Sequence, residues 1–287
     1  MDAIRIAELL QPFLAPSTAA ENLSFRPGFS PEEPAVLSPA QLESISIYID
    51  LLLRWNSRIN LTSVRDPEHI VTRHFGESLL AARILFPGRM GADFGKGTTS
   101  GSRACPEQSR RVPPSPPPDP TRVGASPRGE KTNDQRPTAK SAHLIDLGSG
   151  AGFPGLPIKI WDPSLRLALI ESNQKKVAFL REVARSLALT DVNVFAGRAE
   201  DFPNHNDQQP NTTVTLRAVE NFASILRVAA SLVPPSGRLA LLIGESQVDL
   251  ARQLVSSLIW SEPVQIPLST TRVLMIGTNH GRHESDT

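Results

Sequence analysis

Short apolar segments alternate with amphipathic ones from residue 143 onward, and no other feature constrains the fold as strongly. The segments HLIDLG, LRLALIES, NVFAG, TVTLRAV, GRLALLIG, EPVQIP and RVLMIGT are bounded by turn residues, which predicts strands. The stretches between them, including PGLPIKIWD, NQKKVAFLREVARSLAL and residues 221–232 and 247–258, predict helices. The alternation predicts an α/β fold with a doubly wound, mostly parallel sheet that helices cover on both faces.

The sequence before residue 88 predicts a smaller helical part. Residues 1–37 contain a predicted helix over 3–14 and a Pro-rich irregular stretch. In the following helical unit, residues 38–87, Ser38 with Pro39 and Gln41 predicts a capping box. Asp66 with Pro67 predicts a second helix start, and the helix behind it is expected to cover 68–85 in one or two pieces.

Residues 88–142 are predicted to be a disordered insertion. These 55 residues contain 9 prolines, 7 glycines and 6 serines, too polar a mixture to offset the entropy of ordering them. Their net charge is +5, which leaves −4 for the rest of a chain whose total is +1. The predicted sheet domain then occupies 143–279, and a polar tail occupies 280–287.

Composition excludes several classes of protein. A net charge of +1 argues against a surface that binds nucleic acid everywhere, and a single cysteine excludes intrachain disulfides and thiolate-based zinc sites. No apolar run approaches the roughly 18 residues that cross a bilayer, and the N-terminus lacks the basic region of a secretory signal. We expect a cytoplasmic monomer without a metal and without membrane contact.

A glycine-rich turn follows the first predicted strand of the sheet. Gly148, Gly150 and Gly152 would let the backbone adopt positive φ and approach a ligand closely, although a tight strand-to-helix turn is an alternative interpretation. A dinucleotide fingerprint would place a small residue where Phe153 stands, so the pattern disfavours NAD.

Acidic residues near this turn favour S-adenosylmethionine as the ligand. Glu171 ends the second strand, where a carboxylate can accept hydrogen bonds from two ribose hydroxyls, and Asp146 could bind a cationic amino group. The alternatives are an N-cap role for Glu171 and a strand-end role for Asp146. Ala199 and Glu200 follow the third strand and could contact an adenine, or could form a polar loop that opens a helix.

Several longer motifs resemble the RsmG (GidB) family of bacterial methyltransferases. They are RWNSRINLTSVRDP, the pair Arg73–His74, LIDLGSGAGFPGLPIKI, KKVAFLREV, GRAED and RAV, in the expected order within 38–276. The resemblance implies a Rossmann-like, class I S-adenosylmethionine-dependent enzyme that methylates N7 of a guanine in 16S rRNA. It also implies cofactor contacts at Gly148, Phe153, Ala199, Glu200 and Arg217, to which the residue chemistry adds Gly150, Gly152 and Glu171.

Two departures from the family pattern concern the helical unit. Relatives carry Asp before the Ser of the motif R-H-x-x-D-S, whereas this chain has Glu77 after Gly76, a longer acid beside a site that we expect to be flexible. The insertion 88–142 replaces what is usually a short link.

The resemblance also indicates where RNA would bind. Guanine N7 has a free lone pair and no proton, so we expect no general base, and we expect Arg217 to position the guanine or the cofactor. Its alternative is an ion pair with Glu220. Phosphate contacts are expected from a basic group in the helical unit, comprising Arg54, Arg58, Arg65, Arg73 and His74.

Three rival functions remain open at the level of sequence. A nicotinamide oxidoreductase shares the predicted fold class but conflicts with Phe153. A non-catalytic ribosome-assembly factor would bind the small ribosomal subunit, or an assembly intermediate, without modifying it. A methyltransferase for a small molecule or a protein would not account for NLTSVRDP.

Overall fold

The computed structural model describes residues 1–15, 35–87, 142–202, 211–217 and 221–281. They belong to one compact unit, Met1–Ala92 with Ser141–Thr287. The helices are α1 (Ala3–Leu14), α2 (Pro39–Asn56), α3 (Pro67–Ile70), α4 (Glu77–Leu85), α5 (Gly155–Trp161), α6 (Gln174–Ser186), α7 (Phe222–Ser231) and α8 (Val248–Leu254). The strands are β1 (His143–Leu147), β2 (Arg166–Glu171), β3 (Val192–Ala196), β4 (Thr212–Arg217), β5 (Arg238–Gly244), β6 (Ile259–Trp260), β7 (Val264–Gln265) and β8 (Arg272–Thr278).

The strands form one mixed sheet in the order β3-β2-β1-β4-β5-β8-β6, with β7 also paired to β8. The five strands from β3 to β5 are parallel, and β8 is antiparallel to β5. Strands β1, β2 and β5 are apolar almost throughout because both of their faces are buried. This confirms the predicted α/β fold, and the reversal of strand order between β1 and β4 creates the switch point where open sheets bind ligands.

The helical unit begins as its capping residues predict. Ser38 accepts a hydrogen bond from the backbone N–H of Gln41, whose side chain accepts from that of Ser38, and Asp66 accepts from the backbone N–H of His69. The predicted helix over 68–85 is one continuous run, in which the π-helical segment Val71–Gly76 joins α3 to α4. A π-helical turn contains an extra residue, which changes the direction of the side chains that follow it.

The glycine in this π-helical segment provides space rather than flexibility. A Cβ atom added to Gly76 would lie 2.5 Å from the ring of Phe13 on α1. Gly76 itself is buried and helical, so the expectation of a flexible site beside Glu77 is wrong. Close packing of α1 against the π-helical segment is the physical reason for a glycine here.

The helical unit and the sheet share one apolar core. A single cluster of buried side chains includes Ile6 of α1, Tyr48 of α2, Phe75, Leu169 of β2 and Phe179 of α6. Gln41 adds a polar contact, since its side-chain amide donates to the carbonyls of Ile160 and Trp161 at the end of α5. Helices α7 and α8 cover a second cluster on the other face of the sheet.

Two predicted boundaries differ from the structure. Ala142 is buried and its carbonyl accepts a hydrogen bond from the backbone N–H of Arg166, so it belongs to the sheet rather than to the insertion. Helix α8 ends at Leu254, before the predicted residue 258, because the chain turns there toward β6. The indole N–H of Trp260 in β6 donates a hydrogen bond to the carbonyl of Val255.

Other predicted segments lie wholly or partly outside the described residues. They are most of the Pro-rich stretch before residue 38, the rest of the insertion, Ala218 and Val219 of the RAV motif, and most of the polar tail. Within the described ranges, no helix is long and apolar enough to span a membrane.

Candidate active site

The glycine loop leaves β1 at the switch point of the sheet. Gly148, Gly150 and Gly152 have φ values of +63°, +56° and +87°, which confirms the backbone conformation that the sequence predicts. The backbone N–H of Ser149 donates to the carbonyl of Ile170 on β2. The loop is therefore held against the end of the neighbouring strand.

Glu171 binds the glycine loop from the end of β2. One carboxylate oxygen accepts from the backbone N–H of Gly150 at 2.9 Å, and the other accepts from that of Asn173 at 2.8 Å. Asn173, not Glu171, is the N-cap of α6. Each carboxylate oxygen keeps a further lone pair, so the predicted contact with two ribose hydroxyls is compatible with these hydrogen bonds.

Asp146 lies beneath the loop rather than at its surface. Its carboxylate is 1% exposed and accepts from the hydroxyl of Thr215 at 2.8 Å and the backbone N–H of Gly155 at 3.3 Å. Burial raises the pKa of Asp146 to about 6, and these hydrogen bonds oppose that rise. The carboxylate joins β1, β4 and α5, which is the strand-end role that the sequence left open as the alternative; its contact with a cationic amino group stays a prediction.

Phe153 directs its side chain into the protein. The ring is 5% exposed and stacks on Tyr48, with centroids 5.3 Å apart, and on His74, with centroids 4.8 Å apart. The expected cofactor contact at Phe153 is thus available to its backbone and not to its ring. The ring instead anchors the glycine loop in the helical unit.

Ala199 and Glu200 lie close to the end of β2. The backbone N–H of Gly197, just after β3, donates to the carbonyl of Glu171, and a 3-10 turn covers Ala199–Asp201. Ala199 is half-buried and Glu200 is exposed. The predicted cofactor contacts 148–152, 171 and 199–200 therefore follow neighbouring strand ends at one edge of the sheet.

Arg217 ends β4, on the other side of the switch point, and forms a buried ion pair. Its guanidinium donates to the Glu77 carboxylate at 3.0 Å, to the backbone carbonyl of Arg73 at 3.0 Å and to Nδ1 of His74 at 2.9 Å. Arg272 donates to the same carboxylate oxygen at 2.9 Å. We call Glu77, Arg217, Arg272 and His74 the Glu77 cluster.

The Glu77 cluster carries more positive than negative charge. The side chains of Glu77, Arg217 and Arg272 are 3%, 8% and 18% exposed. Burial and the neighbouring cations lower the pKa of Arg217, whereas Glu77 raises it. Arg217 therefore has the predicted ion pair, but with Glu77; Glu220, the expected partner, lies outside the described residues.

His74 is a neutral part of this cluster rather than a phosphate ligand. Burial and the cations Arg217, Arg73 and Arg272 lower its pKa to about 2. Because Arg217 donates to Nδ1, the proton lies on Nε2, which donates to the hydroxyl of Thr62 at 2.8 Å. The prediction of His74 as an RNA contact is wrong, because the ring is 6% exposed and both nitrogens have partners.

The remaining basic residues of the predicted RNA-binding group are on the surface. All four are exposed: Arg54, Arg58, Arg65 and Arg73. No group of three or more His, Cys, Asp or Glu side chains that could hold a metal occurs in the part of the chain that the structure describes.

Three residues of the site were not predicted from the sequence. Tyr48 lies on the helical stripe of α2, three residues after Ile45, so helical spacing could have placed it in the core. Glu77 stands beside an apolar run, SLLAA, where a buried charge requires a partner. Arg272 is at the start of a strand, and its sequence context indicates no role.

The sheet order, the antiparallel β8 and a glycine loop at the switch point define a Rossmann-like protein of the class I methyltransferase type. The sequence matches the family described as GidB, rRNA small subunit methyltransferase G, over residues 41–99 and 134–272. The chain belongs to this family.

Individual relatives agree with this assignment. A Ribosomal RNA small subunit methyltransferase G of Roseiflexus sp. (strain RS-1) is 34% identical over 250 residues, which are 84% of either chain. The protein of that name from Stenotrophomonas maltophilia (strain R551-3) is 32% identical over 73% of this chain and 70% of its own.

Among solved structures, a precorrin-6y C5,15-methyltransferase from Geobacter metallireducens matches 48% of this chain and 79% of its own, with a TM-score of 0.40 and 11% identity.

Proposed function

We propose that this protein transfers a methyl group from S-adenosylmethionine to N7 of a guanine in the 16S rRNA of the small ribosomal subunit. One observation carries the proposal: in a chain of the GidB family, Glu171 at the end of β2 binds the glycine loop that follows β1, beside the switch point of the sheet. The substrate is 16S rRNA, either free or within the small subunit or its assembly intermediate, and the protein acts as a cytoplasmic monomer.

The glycine loop has one packed side and one open side. A Cβ atom added to Gly152 would overlap the hydroxyl of Tyr48, whereas one added to Gly150 meets nothing nearer than the Gly148 carbonyl, 3.7 Å away. Gly148 is exposed on the open side. A ligand can therefore approach the backbone there, which supports contacts at Gly148, Gly150, Gly152 and the backbone of Phe153.

The chemistry of the neighbouring strand ends fits the other parts of S-adenosylmethionine. Glu171 has lone pairs for two ribose hydroxyls, and the half-buried Ala199 with the exposed Glu200 offers an apolar contact and an acid for an adenine. These residues support the proposal that the cofactor lies across the ends of β1, β2 and β3.

The proposed reaction requires the protein to position the cofactor and the guanine and does not require it to transfer a proton. When bound, S-adenosylmethionine supplies a methyl group on a positively charged sulfonium. Guanine N7 offers a lone pair and loses no proton, so a neutral and hydrogen-bonded His74 is consistent with this chemistry. Arg217 is held by Glu77 and His74 at the end of β4, where it would form one fixed wall of the pocket for the guanine.

RNA binding is proposed for the exposed arginines of the helical unit. Outside 88–142 the chain has a net charge of −4, so a local basic surface must provide the phosphate contacts. Arg54, Arg58, Arg65 and Arg73 are available for this role, and Arg73 also connects to Arg217 through its carbonyl. Replacing each by Ala should lower the dependence of RNA affinity on salt concentration without changing cofactor affinity.

The decisive experiment is methylation of purified small subunits and of naked 16S rRNA, followed by chemical cleavage at 7-methylguanine. One new cleavage site that requires S-adenosylmethionine is the expected result. The absence of new cleavage on both substrates would refute the enzymatic function, and binding to the subunit without modification would support an assembly factor. Tight binding of NAD(P) in calorimetry would contradict the choice of cofactor.

A further inference from the structure

Tyr48 is the only tyrosine of the chain, and it belongs to the helical unit rather than to the sheet domain. Its side chain is 0% exposed. It nevertheless contacts three consecutive residues of the glycine loop, Ala151, Gly152 and Phe153. The Tyr48 side chain of α2 therefore contacts the packed side of the glycine loop.

The hydroxyl of Tyr48 acts on the loop as a hydrogen-bond donor. It donates to the backbone carbonyl of Ala151, which is itself a buried residue. Burial, with the nearby Asp146, raises the pKa of Tyr48 well above its ordinary value, so the hydroxyl keeps the proton that it donates. Gly152 is restricted to glycine on this side, since a Cβ atom there would overlap the same hydroxyl.

The ring of Tyr48 holds the next residue of the loop. It stacks on Phe153 with an interplanar angle of 2°, and Phe75 meets both rings edge to face at 5.2 Å. This arrangement is favourable for aromatic pairs, and it holds a Phe153 ring that is only 5% exposed within the core.

The loop is consequently held from two directions. Glu171 binds the backbone of Gly150 from the sheet, and Tyr48 binds residues 151–153 from α2. The sequence of the loop permits positive φ but does not choose one arrangement of its N–H and C=O groups, because glycine adopts many. External contacts must therefore select the arrangement that a ligand meets.

We propose that Tyr48 is a positioning residue for cofactor binding, in which its hydroxyl fixes the Ala151 carbonyl and with it the conformation of the glycine loop. The inference rests on the proposed function, since it takes the loop to be the site of S-adenosylmethionine. Tyr48 would then make the helical unit part of the cofactor site, although it contacts the packed side of the loop and not the open side where the ligand would lie.

The first test compares Tyr48→Phe with a matched variant, Gln41→Met. Both remove side-chain hydrogen bonds from α2 to backbone carbonyls of the sheet domain, but those of Gln41 end on Ile160 and Trp161, away from the loop. Calorimetry should show S-adenosylmethionine affinity reduced about three- to tenfold in Tyr48→Phe, the effect of one lost hydrogen bond, and unchanged in Gln41→Met. Both variants should melt at lower temperature than the wild type.

An unchanged affinity in Tyr48→Phe, with a lower melting temperature, would show a merely structural role and overturn the inference. Failure of the wild-type protein to bind S-adenosylmethionine would instead overturn the proposed function. The two results are distinguishable because the first requires a wild type that binds.

The second test needs no variant that could misfold. Growth on 3-fluorotyrosine labels Tyr48 alone, because the chain has no other tyrosine. Addition of S-adenosylmethionine should shift the single ¹⁹F resonance of the full-length protein, and a saturating ligand that leaves the resonance unchanged would contradict the coupling between Tyr48 and the loop.

Discussion

Glu77 should be among the residues whose replacement destabilises the protein most. A change of Glu77 to Gln preserves the shape of the side chain and one acceptor oxygen, but removes the negative charge to which Arg217 and Arg272 donate at 3.0 and 2.9 Å. The buried guanidinium of Arg217 and the partly buried guanidinium of Arg272 would then lie close together without the carboxylate that pairs with both.

The size of the effect follows from burial. Removing one partner of a buried ion pair costs about 3–5 kcal/mol, because the remaining charge stays desolvated. Arg272 is 18% exposed, and the Gln amide still accepts one neutral hydrogen bond of about 1 kcal/mol. We therefore expect Glu77→Gln to lower the free energy of unfolding by about 3 kcal/mol.

The assay is urea unfolding followed by tryptophan fluorescence at pH 7. With an m-value of about 3 kcal/mol/M, the midpoint of Glu77→Gln should fall by about 1 M. Glu77→Asp keeps the charge with a shorter side chain and should lose less. Arg272→Met should change stability by less than about 1 kcal/mol, because it leaves a one-to-one pair and removes an Nε that has no partner among the described residues.

Two results would refute this reasoning. A Glu77→Gln variant as stable as the wild type would mean that the carboxylate does not offset the charges of the two arginines. A loss in Arg272→Met equal to that in Glu77→Gln would mean that the cluster has no surplus of positive charge.

The remaining predictions concern the loop, the histidine and the insertion. Gly150→Ala should cost about 1–2 kcal/mol from its φ of +56° and should weaken cofactor binding in calorimetry, whereas Gly152→Ala should lower the melting temperature further because its Cβ atom overlaps buried atoms. His74 has a pKa of about 2 when folded and about 6.5 when unfolded, so the unfolded state takes up the proton and stability falls as pH drops below 6.5. Between pH 7 and 5 the wild type should lose about 2 kcal/mol relative to His74→Gln in urea unfolding; Asp146, whose raised pKa acts in the opposite direction, is present in both and cancels. Deletion of 91–140 should leave the melting temperature and the cofactor affinity unchanged, and a large loss of stability would contradict the predicted disorder.

Local sequence signals predicted the elements and the loop well. Ser38, Asp66 and the loop glycines act through their own backbone or through residues three positions away, so the pattern contains the needed information. The roles of Glu77 and Arg217 depend on residues 140 positions apart, which no local pattern records. His74 illustrates the same limit, because its charge depends on which distant cations surround it.

The core that the helical unit shares with the sheet also determines when the protein can fold. Residues 1–87 are synthesised before any strand exists. Tyr48 and Phe75 can contact each other at that stage, but Tyr48 gains its partners on the sheet side, Phe153 and then Phe179 of α6, only when those residues follow. At about 5–20 residues per second, the last residue of α6 follows residue 87 by roughly 5–20 s. During that time the apolar side chains of the N-terminal helices that pack against the sheet domain stay exposed. A nascent chain stalled before residue 174 should therefore be far more sensitive to protease than one stalled after the sheet is complete.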